Sequence, residues 1–177
     1  MAVSGKTDTQ IARTTVDMGL IGIYLNDHLA GSTTGVELVR RAARGQRHWE
    51  AGRVLDRIAA EIAEDRAGLI DMMEALRVPI RRYKICAGWV VEKFGRAKPN
   101  GRLLRRSPLS DVVELETLRL GIEGKEACWR VLRLIAERDD RLDPTRLDRL
   151  IARARGQAET VEDLRMRAAE RLIDSSS

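Results

Sequence analysis

The stretch that decides the fold runs from Asp143 to Ile173, DPTRLDRLIARARGQAETVEDLRMRAAERLI. It begins with an aspartate, a good helix cap, and a proline, which suits the first helical turn. Apolar side chains then recur every three or four residues, as one buried face of a helix requires. That face is made by Leu147, Leu150, Ile151, Ala154, Ala158, Val161, Leu164, Ala168 and Leu172. The stretch predicts one long amphipathic helix.

The same periodicity divides the rest of the chain. The punctuation comes from the prolines, which lie between periodic segments at Pro79, Pro99, Pro108 and Pro144. Long helices are predicted over about 15–44, 48–76, 108–138 and 143–172, and a short basic helix between Pro79 and Gly95. Four long helices with short connections favour an all-α, up-and-down four-helix bundle, with the short basic helix between its two helix pairs.

Length and composition indicate one domain. A chain of 177 residues is long enough to bury a core without disulfides or metals. We expect the bundle to occupy 15–173, between disordered polar tails at 1–14 and 174–177. Cys86 and Cys128 lack the spacing of metal ligands and are interpreted as buried thiols of a reducing compartment. Since no signal-like or membrane-spanning apolar run is present, we expect a cytoplasmic protein.

Three polar residues interrupt apolar helix faces: His28, Asp65 and Lys125. One interpretation is a satisfied polar layer that sets helix register, in which His28 hydrogen-bonds to Asp65. Another is a metal or small-ligand site, for which the small residues that follow His28, including Ser32, leave room. A third is that these small residues only allow close helix contact. The candidate network therefore comprises His28, Ser32, Asp65 and Lys125.

The helix predicted after Pro108 is apolar over an unusually wide arc. One stripe consists of Leu115, Leu118, Ile122, Trp129 and Leu132, and a second of Val113, Leu120, Ala127, Val131 and Leu134. The remaining face carries Glu116, Arg119, Glu123, Glu126 and Arg130, whose spacing is typical of a salt-bridged surface. Leftover apolar helix surface in the bundle predicts self-association.

A strongly basic segment extends from Arg77 to Arg106. It has ten basic residues and one acid, Glu92, in a chain whose net charge is +5. Cations around a tryptophan suit contact with nucleic acid or an anionic membrane surface. The candidate contact residues are Arg81, Arg82, Trp89, Lys93, Arg96, Arg102, Arg105 and Arg106. The alternatives are that the short helix packs on two sides, or that Trp89 is incidentally exposed.

Catalytic motifs were sought along the whole sequence. It contains no phosphate-binding glycine loop, nucleophile elbow or HExxH zinc motif. We therefore predict no catalytic residue, no cofactor and no metal ligand. The chain is interpreted as a non-catalytic binding or scaffold protein, with polyanion docking through 77–106 and a metal or small-ligand site at His28 and Asp65 as the alternatives.

Two resemblances accompany this interpretation. The predicted arrangement over 15–173 resembles the ferritin-like helical bundles, whose di-iron members carry Glu-x-x-His motifs. This chain has none, since Glu61 is followed at that spacing by Glu64 and Glu123 by Glu126. The strings YLNDHLAGSTTGVELVRRAARG (24–45) and SPLSDVVELETLRLGIEGK (107–125) resemble an uncharacterised family of actinobacterial proteins. These resemblances imply a bundle architecture and a bacterial source, without an iron site.

Overall fold

A computed structural model describes residues 17–46, 50–81 and 108–174. These ranges contain four helices and no strand: α1 is Met18–Gly45, α2 is Glu50–Ala75, α3 is Pro108–Ala136 and α4 is Pro144–Asp174. Over the described residues, the prediction of an all-α protein with four long helices is confirmed. The predicted short basic helix, most of the polar tails and His48 lie outside the described ranges.

Helix starts follow from local capping chemistry. Asp17 Oδ1 accepts hydrogen bonds from the N–H groups of Gly19 at 2.9 Å and Leu20 at 3.2 Å, which fixes the start of α1 at Met18. At α4, Asp143 Oδ1 accepts from the N–H of Thr145 at 2.8 Å, as the Asp-Pro signal predicts. The cap of α1 lies two residues beyond the predicted start because Asp17, and not Thr15, supplies the oxygen.

α2 ends in an unusual turn at Arg77. The N–H of Val78 donates to Met73 O at 2.8 Å and that of Arg77 to Glu74 O at 2.9 Å, the pattern of a Schellman cap. Arg77 has a φ of 58°, the left-handed conformation that glycine normally supplies. Val78 and Met73 are both buried, so the cap is closed by the apolar contact usual for this motif.

The helices form two antiparallel pairs. In the first pair, the Asn26 amide, near the start of α1, donates to Pro79 O just after α2, at 3.1 Å. In the second pair, Arg133 near the end of α3 lies 3.0 Å from Asp148 near the start of α4. Arg119, closer to the start of α3, lies 3.5 Å from Glu162, farther along α4. In each pair, the two helices therefore run in opposite directions.

The pairs pack side by side through α1 with α3 and α2 with α4. Arg41 near the end of α1 lies 3.2 Å from Glu114 near the start of α3. Arg146 near the start of α4 lies 2.9 Å from Asp71 near the end of α2. Both neighbours are thus antiparallel, and α2 and α3 run in the same direction. The end of α2 and the start of α3 consequently lie at opposite ends of the bundle.

One continuous apolar core joins the four helices. Its most deeply buried side chains, each at most 1% exposed, include Leu25, Leu55, Met73, Leu115, Trp129, Leu132, Leu147 and Val161. Burying each such side chain contributes roughly 1.5–3 kcal/mol. The Leu115 to Leu132 stripe of α3 faces this core, as predicted. None of the helices in the described ranges is long and apolar enough to cross a membrane.

Candidate functional site

A buried charged layer crosses the bundle where α2, α3 and α4 meet. Asp65 of α2 is only 1% exposed, and its Oδ2 lies 2.5 Å from Lys125 Nζ of α3. Its Oδ1 accepts a hydrogen bond from Arg153 Nη2 of α4. Both carboxylate oxygens are therefore bound by cations from two other helices, which is what a buried carboxylate requires.

A glutamine extends this layer across α4. Gln157 is buried; its Oε1 accepts from Lys125 Nζ at 2.5 Å, and its Nε2 donates to Glu61 Oε2 at 2.7 Å. Glu61 also lies 3.8 Å from Arg57, closer to the surface. A continuous chain of charged side chains, with the Gln157 amide in its middle, thus leads from the core to the solvent. We name Glu61, Asp65, Lys125, Arg153 and Gln157 the polar layer.

The electrostatics of the polar layer depend on how deeply Lys125 is placed. Burial lowers the pKa of the Lys125 ammonium below its usual value, and the neighbouring Arg153 lowers it further. Asp65 opposes this by attraction and hydrogen bonding. Removing Asp65 would leave the Lys125 ammonium with Gln157 as its hydrogen-bond partner, while Arg153 would keep Glu64 at 3.0 Å. The Asp65 carboxylate thus joins α3 and α4 to α2 at this level, and the Gln157–Glu61 and Arg153–Glu64 contacts also join α4 to α2.

The structure brings together Asp65 and Lys125 of the predicted network, but not His28 or Ser32. The hydrogen bonds of Asp65 go to α3 and α4 rather than to His28. The His28 ring packs edge-on against Tyr24, with ring centroids 4.5 Å apart, and burial lowers its pKa. Ser32 Oγ donates to Leu29 O of its own helix at 2.7 Å. In the three described ranges, no three His, Cys, Asp or Glu side chains are grouped so that they could hold a metal ion.

Three members of the polar layer, Glu61, Arg153 and Gln157, were missed by the sequence analysis. A signal for Gln157 exists: it lies at helical spacing between Ala154 and Val161, inside the stripe that α4 buries. No comparable signal marks Arg153, which is adjacent to that stripe and is recruited by Asp65. Its selection depends on how α2 and α4 pack.

Of the two cysteines predicted to be buried thiols, only Cys128 lies among the described residues. This cysteine is a free, buried thiol, and burial raises its pKa to about 12. At neutral pH it remains protonated and is a poor nucleophile. The prediction of a buried thiol is confirmed for Cys128, whereas Cys86 lies outside the described residues.

The basic segment is described only at its beginning. The N–H of Arg81 donates to Asn26 Oδ1 at 2.7 Å, which ties the backbone after α2 to α1, while the Arg81 side chain is exposed. The other predicted contact residues lie outside the described ranges: Arg82, Trp89, Lys93, Arg96, Arg102, Arg105 and Arg106. Contact with nucleic acid or a membrane surface stays a prediction.

α3 presents an apolar surface to solvent, which we name the outer face of α3. It consists of Val113, Thr117, Leu120, Gly124, Ala127, Val131 and Leu134. Leu120 is 59% exposed and Leu134 is 63% exposed. Leu120 is two positions from Leu118 and from Ile122, a rotation of about 200°. Because both neighbours are buried in the core, Leu120 points away from it. The second predicted stripe of this helix is thus exposed at Val113, Leu120, Ala127 and Leu134, while Val131 is partly buried against the core.

A cleft lies where α1, α2 and α4 come together at one end of the bundle. It is lined by Gln46, Glu50, Ala51, Leu164, Arg167 and Arg171. Its volume of about 210 Å³ is below the range typical of ligand pockets. The Gln46 side chain is buried, and its Nε2 lacks a hydrogen-bond partner.

Comparison with protein-family models, with curated proteins and with solved structures finds no match to this chain.

Proposed function

We propose that this protein is a non-catalytic helical bundle that acts by binding, and that its first partner is a second copy of itself. The observation that carries the proposal is the outer face of α3. Leu120 and Leu134 are both more than half exposed on one side of a helix whose opposite side is fully buried. Exposed apolar side chains that form one stripe favour association, since covering them removes apolar area from water.

The polar layer supports a structural role for the interior of the bundle. Both oxygens of Asp65 are engaged by cations, and Gln157 links Lys125 to Glu61. A catalytic carboxylate or lysine needs a free atom directed towards a substrate. The Asp65 carboxylate and the Lys125 ammonium are instead directed at other members of the polar layer, which suits a register-setting device.

We further propose a ferritin-like arrangement and a cytoplasmic location. The helix directions support the former, because α2 and α3 run in the same direction and their facing ends are at opposite ends of the bundle. Two antiparallel pairs joined by a crossover have this order. We propose only the helix arrangement of the ferritin-like bundles for this protein, and not their iron site. The polar layer contains a lysine and an arginine, whereas an iron site would need carboxylates and imidazoles.

The proposal is tested by sedimentation velocity of the full chain and two variants. Leu120→Lys places a charge in the middle of the outer face of α3 and is expected to abolish association. Leu20→Lys is the matched control, because Leu20 is 65% exposed on α1, outside the outer face of α3. Wild type and the control should associate equally. Equal association of all three proteins, or a wild type that stays monomeric at about 100 µM, where contacts of ordinary affinity are saturated, would contradict the proposal.

A further inference from the structure

We propose that two copies of the chain pair through the outer face of α3 in antiparallel orientation, about a two-fold axis level with Ile122. In this arrangement Leu120 packs against Gly124 of the partner subunit, and the reverse contact follows by symmetry. The inference rests on the proposed function, because it specifies the geometry of the same surface.

The spacing of the outer face of α3 is that of a helix-pairing seam. From Val113 to Leu134 its members are separated alternately by four and three residues. This alternation keeps one stripe facing a partner helix over the whole length of a two-stranded contact. α3 has 29 residues, and a helix of that length extends over about 43 Å. One helix therefore supplies a continuous seam without help from the rest of the bundle.

A depression and a projection lie side by side in this seam. A Cβ added at Gly124 would meet no heavy atom within 4 Å, so the surface is open there. One helical turn away, Leu120 projects into solvent. An antiparallel pair centred at Ile122 places each leucine over the glycine of the other copy. The same centring brings Val113 to Val131 of the partner subunit, so the apolar positions meet one another.

The charges along one edge of the seam select this register. Glu116, Glu123 and Arg130 follow one another at seven-residue intervals on that edge. In the proposed pair, Glu116 faces Arg130 of the partner subunit, and this contact occurs twice. Within each chain Arg130 also lies 2.7 Å from Glu126 of the same helix. The two Glu123 side chains approach the axis, where each has Arg119 of its own chain at 3.1 Å. The edge is thus complementary to its own two-fold copy, which argues for a second copy as occupant.

Other arrangements are less complementary. Shifting the antiparallel pair by one heptad keeps two favourable contacts, now between Glu123 and Arg130 of the partner subunit. It also places Glu116 against Glu137 of the partner subunit, a like-charge contact that occurs twice. A parallel pair brings the Glu116 edge against the opposite edge of the seam, where Gly121 and Cys128 stand. Neither residue can pair with a carboxylate. The antiparallel pair centred at Ile122 is the arrangement that uses both the depression and the charges.

Charge reversal tests the register. Glu116→Arg alone and Arg130→Glu alone each create two like-charge contacts, and we expect association about tenfold weaker than wild type, as for two exposed pairs reversed together. An equimolar mixture of the two single variants restores both contacts, so hetero-association should exceed either homo-association. The double variant Glu116→Arg/Arg130→Glu should regain self-association. Single variants that associate like wild type, or a mixture without preference, would overturn the register.

A second pair of variants tests the depression without changing charge. Gly124→Leu fills the space over which Leu120 of the partner subunit would lie, and should weaken association. Gly121→Leu is the control, because a Cβ there also meets open space, but the position lies beside the seam. Thermal melts of dilute protein check that both variants fold. Equal association of the two variants would overturn the packing of Leu120 on Gly124.

These outcomes separate the register from the proposed function. If wild type does not associate, the proposed function fails and the register fails with it. The same result is expected if residues 82–107 of the chain, or a different protein, cover the outer face of α3. If wild type associates and Leu120→Lys abolishes association, but charge reversal has no effect, only the register fails.

Discussion

Lys125 Nζ of α3 lies 2.5 Å from Asp65 Oδ2 of α2, in the interior of the bundle. Arg153 of α4 binds the other oxygen of the same carboxylate, so one aspartate holds two cations from two helices. Arg153 also lies 3.0 Å from the exposed Glu64, and Asp65 keeps one cation when the other is lost, so loss of Asp65 and loss of a single cation are not energetically equivalent. This asymmetry gives the first prediction.

Asp65→Asn should destabilise the protein by about 3–5 kcal/mol, because it removes the carboxylate that pairs with the buried Lys125 and supplies the buried partner of Arg153. Lys125→Met should cost less, since Arg153 still binds the carboxylate. The matched control is Glu64→Gln, which removes an exposed partner of Arg153 at 3.0 Å and should change stability by less than about 1 kcal/mol. Urea denaturation measures the three differences. A cost for Asp65→Asn no larger than that for Lys125→Met would contradict this assignment.

His28 should make the stability of the protein depend on pH. Burial lowers the pKa of His28 in the folded state below 6.5. The unfolded chain therefore binds a proton at His28 more readily than the folded chain does. Stability should therefore fall as pH drops through 6.5 and level off once pH is below the folded-state pKa. His28→Phe keeps a ring against Tyr24 but cannot titrate, and should show a smaller loss between pH 8 and pH 5. The comparison uses unfolding free energies, and equal losses in both proteins would contradict the prediction.

Cys128 should be unreactive while the protein is folded. Its pKa of about 12 leaves only about one thiolate in ten thousand at pH 8. In a Cys86→Ser background, a thiol reagent should label the native protein very slowly and the urea-unfolded protein at the rate of a free cysteine. Rapid labelling under native conditions would show that Cys128 is neither buried nor protonated.

Arg77→Gly should stabilise the protein. The left-handed conformation destabilises the folded state by roughly 1–2 kcal/mol when the residue is not glycine. Glycine removes this strain, but its greater conformational freedom stabilises the unfolded chain and offsets part of the gain. We expect a net gain of about 0.5–1 kcal/mol, measured by urea denaturation. Arg77→Ala keeps the Cβ and serves as the control, with little change. A destabilising Arg77→Gly would mean that the arginine side chain contributes more than the backbone strain costs.

The helices themselves were predictable from the sequence because their signals are local. Proline at Pro108 and Pro144 marks two helix starts within one residue of the structure. The start of α1 was less accurate, since several polar residues before Met18 are possible caps, and only the geometry selects Asp17.

The polar layer was predictable only in part. Asp65 and Lys125 were recognised because each interrupts an apolar stripe. Their pairing was not, because periodicity shows which face of a helix is buried but not which helix lies opposite. The order in which the helices pack places α3 and α4 beside Asp65, and His28 therefore packs within α1 against Tyr24.

The second stripe of α3 was also visible in the sequence, and the structure adds which stripe the core takes. The stripe with Leu115, Trp129 and Leu132 is buried, which leaves the stripe with Leu120 in solvent. The choice depends on packing against α1 and α4. Because the second stripe contributes exposed apolar side chains to the outer face of α3, the bundle is a candidate for self-association.

The central claim, that the outer face of α3 mediates self-association, is tested most directly by sedimentation equilibrium of the wild-type chain and of Leu120→Lys over a wide concentration range. For the wild type we predict a mass that rises from the 19.9 kDa of one chain towards twice that value and then stops, because a two-fold contact closes on itself. Leu120→Lys should keep the mass of one chain. A wild-type mass that stays at one chain or grows without limit, or a variant that associates like the wild type, would contradict the account.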